Sequence, residues 1–502
     1  MPSHQDHSPP AATTVHPPAD LPDRGTSESY WTQAIRDYRR NRPAVFGLLV
    51  VWFVATVGVL CPLLANGRPL YINAVFLDDY DEAYFIVLDE VARLGETENT
   101  AARFRTAFDR LRGHLAPEFR ERLSEVSEHM VAFAAGEGSQ ETFDAAVAQF
   151  EADFDYGEVE LVPQARFPIF RTLSQGELFF LFFYVFCLAG ILFRKRLRHG
   201  WLVIGVAVGG PLILAFAIRA AWPPVQDAFN YRDLISSESF EGSVVLPLVF
   251  YGENENLTAE SRQPPTFLLP EDERAINQHF HLLGTDTNGR DVLSRMIYGA
   301  RISMLVGIVA VSLYLSIGII LGAVAGYFGG WTDLALSRLI EVVICFPVLF
   351  LILSVQAMLD PSIINIMVML GLVGWTGAAR LQRGEFLRIV NLDYIQAIRA
   401  LGGSHLRIIF RHVLPNAIGP ILVLASFGIA GSILVESALS FLGFGVPQPT
   451  ASWGDLLNNG RNDIQGLWWL TVFPGFAIFL TVTCFNLVGE GVRDALDPRR
   501  DE

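Results

Sequence analysis

The chain has 502 residues, 51% of them apolar and 18% charged, with a mean hydropathy of +0.35 and a formal net charge of −15. A soluble chain of this length normally divides into two or more domains with mixed surfaces, whereas here the apolar residues gather in runs of about 20, the length that crosses a hydrocarbon core. The charge is unevenly spread: residues 66–175 hold 21 acidic and 10 basic residues and alone supply −11, and no basic stripe with interleaved aromatics points to nucleic acid.

Residues 1–43 read as a cytoplasmic tail, rich in Pro, His, Ser and Ala up to about Arg24. It is not a cleavable signal peptide, because the first apolar run begins only at Val45 and lacks a small-residue cleavage site. A first span is expected over 44–65, behind Arg36, Arg39, Arg40 and Arg42, a cluster that holds the N-terminus inside under the positive-inside rule.

Residues 66–176 then form an acidic extracytoplasmic insert. Phe104, Phe108, Leu111 and Leu115, then Phe119, Leu123, Val126, Met130 and Phe133, recur at helical spacing, with Glu118, Glu121, Glu125 and Glu128 on the polar sides. This pattern predicts a small helical domain, bounded by short strands near 84–88 and 157–163. Two extra spans follow within 177–220, at about 177–193 and 201–220. Their connector carries Arg194, Lys195, Arg196 and Arg198, and the chain returns outward near Trp222. The extracytoplasmic segment 221–300 is mostly irregular, and no internal repeat is evident.

The remaining 301–502 carries five spans, at about 302–327, 339–358, 362–379, 417–438 and 469–489. Eight spans put both termini in the cytoplasm. The connector 380–416, with Arg380, Arg383, Arg388, Arg399, Arg407 and Arg411, falls on the same side, as do Arg493, Arg499 and Arg500. Arg290, Arg295 and Arg301, before the fourth span on the outer side, run against this rule. Cys61, Cys187, Cys345 and Cys484 all lie in apolar runs without metal or disulfide spacing, so they read as small buried hydrophobes.

The most informative stretch is Asp393 to Asn416. Ala397 and Ala400 give a helix a narrow face that can enter a partner's groove, and Gly402 and Gly403 permit a sharp turn. Residues 404–412 are expected to form a second short helix that Pro415 stops. The stretch from Tyr394 to Pro415 resembles the coupling loop of ATP-binding-cassette (ABC) importer permeases, whose pattern is Glu-Ala-Ala, three residues, Gly, then Pro about a dozen positions later. Gln396, Ala397 and Ile398 stand at the Glu-Ala-Ala positions, so that Gln removes a charge and Ile adds bulk; Gly402 and Pro415 supply the rest.

Further segments are similar to the dipeptide/oligopeptide/nickel-type permeases, C-type subunit. They are His281 to Arg295, containing Gly284, Thr285, Asp286, Gly289, Arg290 and Asp291, then Tyr298 to Ser303, Ser440 to Gly445, Ser452 to Asp455 and Gly491 to Pro498. The Gly284–Gly289 stretch lacks the Gly-Lys-Ser/Thr ending of a phosphate loop, so a structural turn is expected there.

The resemblance implies an all-α polytopic inner-membrane protein with a permease core of about six spans, here enlarged by two spans and the acidic insert. It also implies a homologous B-type permease partner, two ATPase subunits or domains, an extracytoplasmic solute-binding protein and surrounding lipid. The chain would be no enzyme and bind no cofactor or metal itself; ATP and magnesium would sit on the ATPase. Short peptides are the expected cargo, with nickel chelates or other small solutes as lesser alternatives.

Two ionisable groups lie within spans, Glu341 and Glu436. Glu436 is a candidate pathway residue that could meet a peptide ammonium, or equally an interfacial helix-end group. His279 and His281 read as a solvated pair. The competing readings are an ion-coupled secondary transporter, which calls for midplane charges and interrupted helices, and a membrane-anchored interaction protein working through the insert.

Overall fold

The computed structural model describes residues 30–93, 100–154, 159–192, 200–221, 230–237, 240, 242–270 and 280–496. The expectations for the N-terminal tail to Arg24, for Arg194, Lys195, Arg196 and Arg198, for Trp222, His279, Pro498, Arg499 and Arg500 lie outside them.

Among the described residues, five helices are long and apolar enough to cross a membrane: Arg42–Leu64, Val292–Phe328, Ile363–Val390, Gly419–Phe441 and Trp469–Leu496. The span expected at 339–358 is not one rod. It is a pair, Gly330–Ile344 and Val348–Gln356, bent by 73°. Pro347 explains the break: it offers no N–H to a helix, biases Phe346 away from helical backbone, and itself lies extended at φ −63°, ψ 116°. The two extra apolar segments form the helices Gln175–Leu192 and Gly200–Ala221, whose apolar portions, Gln175–Gly190 and Gly209–Ala220, are shorter than the five. The fourth span starts ten residues early, because Asp291 caps Ser294 N–H and helix runs on from Val292.

The centre of the bundle is the crossing of Val292–Phe328 with Ile363–Val390. Gly318, Gly322 and Gly326, four residues apart, meet Ala378, Ala379 and Phe386. A Cβ built at Gly322 would lie 2.5 Å from the carbonyl oxygen of Ala379. Only glycine allows these backbones so close, which is how membrane helices gain packing without a hydrophobic driving force.

In the insert, Leu77–Ala92, Thr100–Gly113, Pro117–Ala134 and Gln140–Asp153 close around one core containing Phe104, Phe108, Leu111, Leu123, Met130 and Phe150. The helical periodicity reads correctly. The strand expected at 84–88 does not form: it lies inside Leu77–Ala92, where Tyr80, Ala83, Val87 and Glu90 turn inward at helical spacing. A five-residue apolar run cannot distinguish the two periods by itself. Of the strand expected near 157–163, residues 157 and 158 lie outside the described residues and 159–163 hold only an isolated bridge from Leu161 to Leu115. Strands β1 (Tyr71–Ala74), β2 (Gln164–Arg166) and β3 (Ser243–Val245) make an antiparallel sheet in the order β2-β1-β3. The sheet ties both ends of the insert to the second outer segment. A further tie joins Glu177, at the start of the first extra helix, to Arg301 at 2.9 Å.

Candidate functional site

The residues of the loop 394–415 are brought together as a hairpin beneath the crossing helices. Asp393–Ala400 is helical, and Leu401 ends it. Gly402 takes φ +80°, its N–H donates to the carbonyl of Arg399, and Gly403 N–H donates to that of Ile398, both at 3.0 Å. This pairing closes a helix through a left-handed residue, which is why glycine stands there. Gly403 is needed for space as well, since a Cβ there would lie 2.8 Å from Ile398 Cγ2.

The second arm differs from expectation. Helix starts at His405, widens into a π-helical turn over Ile409–Val413, and continues through Leu414–Ala417, so Pro415 does not stop it. The wider turn relieves the clash a proline ring makes with the carbonyl four residues earlier. Ile395, Ile408, Val413 and Ala417 bury themselves against Phe386 and Ile389 of one crossing helix and Ala323 and Tyr327 of the other. His405 Nδ1 lies 2.8 Å from the Tyr327 hydroxyl, and the Arg399 guanidinium sits 5.6 Å from that ring's centroid. The hairpin is thus fastened to both crossing helices.

Within it, Ile398 looks back into the protein, while Gln396 is exposed and bonds back along the chain. The Gln396 amide donates to the carbonyl of Val390 at 3.1 Å, covering the open end of the preceding helix, and Ile398 packs against the buried cluster. Tyr394, Ala397, Ala400 and Leu401 remain exposed. Behind the hairpin a cavity of about 1060 Å³ opens between Arg388, Tyr394, Asn416, Phe427 and Arg493.

The outer motif residues gather at the start of Val292–Phe328. Gly284 and Gly289 take φ +80° and +74°. Asp286 accepts from the backbone N–H groups of Asn288 and Arg290 and from Arg290 Nε at 2.7 Å. Asp291 caps Ser294 with one oxygen and meets His281 Nδ1 with the other at 2.8 Å. Thr285 Oγ1 donates to the Glu260 carbonyl, and Trp469 Nε1 donates to the Thr285 carbonyl. Arg295, fully buried, reaches Asp455 at 2.9 Å, so the 281–295 and 452–455 segments form one cluster. These residues turn inward as a structural knot.

Two expectations are corrected here. His281 is not solvated: it is completely buried, held between Asp291 and Glu260, with the Tyr251 ring centroid 4.4 Å away. Burial by itself would lower its pKa, but the hydrogen bonds and charges of the two carboxylates outweigh that and raise it. The arginines that ran against the charge rule are also accounted for. Arg290 pairs with Asp286, Arg295 with Asp455 and Arg301 with Glu177, so none is a free positive charge.

Glu436 is fully buried rather than open at a helix end. Its carboxyl accepts from Ser440 Oγ at 2.8 Å, Ser303 Oγ at 3.3 Å and Ser437 Oγ at 3.4 Å, joining Val292–Phe328 to Gly419–Phe441. Glu341 is exposed beside Arg338. Sequence reasoning missed Tyr327, Ser303 and Glu260 as partners, because each lies far along the chain from the group it serves.

Residues 318–502 match the family model of the binding-protein-dependent transport system inner membrane component, and residues 29–81 match that of the N-terminal TM domain of oligopeptide transport permease C. The chain is 41% identical over 220 residues to the oligopeptide transport system permease protein OppC of Haemophilus influenzae, covering 44% of this chain and 71% of that one. It is 44% identical over 220 residues to the dipeptide transport system permease protein DppC of Bacillus subtilis, covering 44% and 69%. It is also 41% identical over 282 residues to the peptidoglycan transport system permease protein YejE of Agrobacterium fabrum, covering 56% and 71%. A solved chain of the inward-facing MetNI methionine ABC transporter matches at a TM-score of 0.32 and 14% identity, over 39% of this chain and 95% of that one, too low a likeness to carry detail across. An ion-coupled carrier and a membrane-anchored interaction protein are both disfavoured by these matches. The chain belongs to the inner-membrane components of binding-protein-dependent transport systems, as a multi-pass ABC permease of the C type: a transport subunit rather than an enzyme.

Proposed function

We propose that this permease carries short peptides, and that the loop 394–415 docks a separate ATPase and passes its motion to the membrane helices. The observation that carries the second part is the hairpin's construction. Its apolar tip is exposed, while its inner face is bonded to both helices that cross at the centre of the bundle. A displacement at Leu401 therefore reaches Tyr327 and Phe386 through packed contacts, and the cavity behind the hairpin leaves room for such a displacement. The peptide cargo rests on the oligopeptide and dipeptide systems to which the chain is similar.

In this reading a homologous B-type permease completes the pathway, and a binding protein delivers cargo at the outer face. Two ATPase subunits or domains hold ATP and magnesium, and this chain binds no cofactor. The ATPase changes the balance between outward- and inward-open states by binding the hairpin differently in each. Both termini lie in the cytoplasm, which the arginines at 36–42 and in 380–416 support. Glu436 enters the pathway only in a state that separates Ser303 from Ser440; here it fastens the two helices.

The test is uptake of a labelled dipeptide into proteoliposomes containing the whole complex. Uptake that requires ATP and is lost in the Gly402→Pro variant supports the reading. Uptake driven by an ion gradient without the ATPase contradicts it.

A further inference from the structure

The hairpin's outer surface has a composition that says what it meets. Leu401 is 88% exposed, Leu406 69% and Phe410 64%, so three large apolar side chains stand uncovered by the rest of the chain on the two arms of one tight turn. Arg407 and Arg411, four positions apart and exposed, have no carboxylate partner among the described residues. Two other arginines of the connector are engaged: Arg383 with Asp333 and Arg388 with Glu385. Gln396, at the position where the family pattern has an acid, spends its amide on Val390, and Ile398 is folded under the turn. Of the two departures from the family pattern, Ile398 is folded inward, while Gln396 is exposed but uncharged and has its amide engaged, so the outward surface is apolar with a positive rim.

Resting on the coupling reading above, we infer that the ATPase subunit serving this permease receives Leu401 and Leu406 in an apolar pocket rimmed by carboxylates that meet Arg407 and Arg411, with Gln396 contributing no charge to the contact. Desolvated apolar anchors surrounded by charges of opposite sign are the usual anatomy of a specific docking site. The rim chiefly sets partner choice and association rate, and it weakens with salt.

The experiment retains the partner ATPase on immobilised, full-length permease complex and measures how much stays bound across a salt series. The variants are Leu401→Ser, Arg407→Glu with Arg411→Glu, Gln396→Ala and Gly402→Pro; the first three change exposed side chains, and membrane insertion of all four is checked. Both Leu401→Ser and the double reversal are expected to lower retention tenfold or more, and the double reversal to remove most of the salt dependence. The loss from Gln396→Ala is expected to be at least tenfold smaller. A larger loss from Gln396→Ala than from the double reversal overturns the inference while leaving the coupling reading intact. Retention unchanged in all four variants, Gly402→Pro included, overturns the coupling reading itself. The binding is also measured in nanodiscs of zwitterionic and of anionic lipid. A loss confined to anionic discs means that the arginines meet a lipid surface, and it too overturns the inference.

Discussion

The hairpin at 394–415 and the knot at 281–295 are the two family motifs of this chain, and the fold puts them to opposite uses. Both turn at positive-φ glycine and both carry arginines. In the knot, Asp286, Asp291, Arg290, Arg295 and His281 are all buried and ion-paired with one another or with Asp455 and Glu260 of the same subunit. In the hairpin, the arginines and the largest apolar side chains face outward while small and branched residues fill the interior. A motif whose charges are paired inside its own subunit holds a shape. One whose charges are left open presents a surface to another molecule.

Substitutions in the hairpin should therefore change transport more than stability, and substitutions in the knot the reverse. The largest effect expected is from Gly402→Pro. Proline is fixed near φ −65° and cannot occupy +80°, so the turn opens and peptide uptake should fall more than tenfold, with normal insertion seen in membrane fractions. Next is Asp286→Ala, which strands Arg290 in the interior and leaves Arg295 with Asp455 alone. Removing one partner of a buried ion pair costs about 3–5 kcal/mol, read as a lowered unfolding midpoint of the purified complex.

Gly322→Leu at the helix crossing should cost about 1–3 kcal/mol by the same assay, because its side chain meets the Ala379 carbonyl. This variant sharpens the contrast, since it disturbs the helices that the hairpin grips without touching either motif.

The smallest expected effect is a pH dependence through His281. Its folded pKa is raised above the ordinary value of 6.5 by Asp291 and Glu260. Its contribution to stability is therefore complete below about 6.5 and is lost as pH rises through the raised value. The groups facing it are Glu260, Asp291 and the Tyr251 ring. The unfolding midpoint should decline from pH 6 to pH 9, and His281→Gln should flatten that decline. An equal decline in the variant would show that another group titrates.

Much of this was legible beforehand. Apolar run length located most spans, because a helix must satisfy its own backbone in lipid and so leaves an uninterrupted signature. Phe104 to Met130 announced the insert's core for a similar reason, through a local period. What escaped detection depended on distant partners. His281 looked isolated because Glu260 and Tyr251 lie 20 and more residues upstream, and Arg295 looked like a misplaced cation because Asp455 belongs to another loop. Glu436 could not be assigned while Ser303 was unknown to be its neighbour. Pro347 and Pro415 show the same limit from the other side. Each is a helix breaker by chemistry, yet one bends a span and the other sits inside a continuous arm, a difference set by the π turn before Pro415.

The most direct test of the central claim is cross-linking from the hairpin tip in the assembled complex. Cysteine is placed at Leu401 in a chain whose own exposed Cys345 is replaced by serine, with Phe280→Cys on the outer segment as the control. An adduct between position 401 and the ATPase subunit, with a yield that changes when ATP is added, is expected, and none from position 280. No adduct from 401, or an equal yield from 280, would contradict that claim.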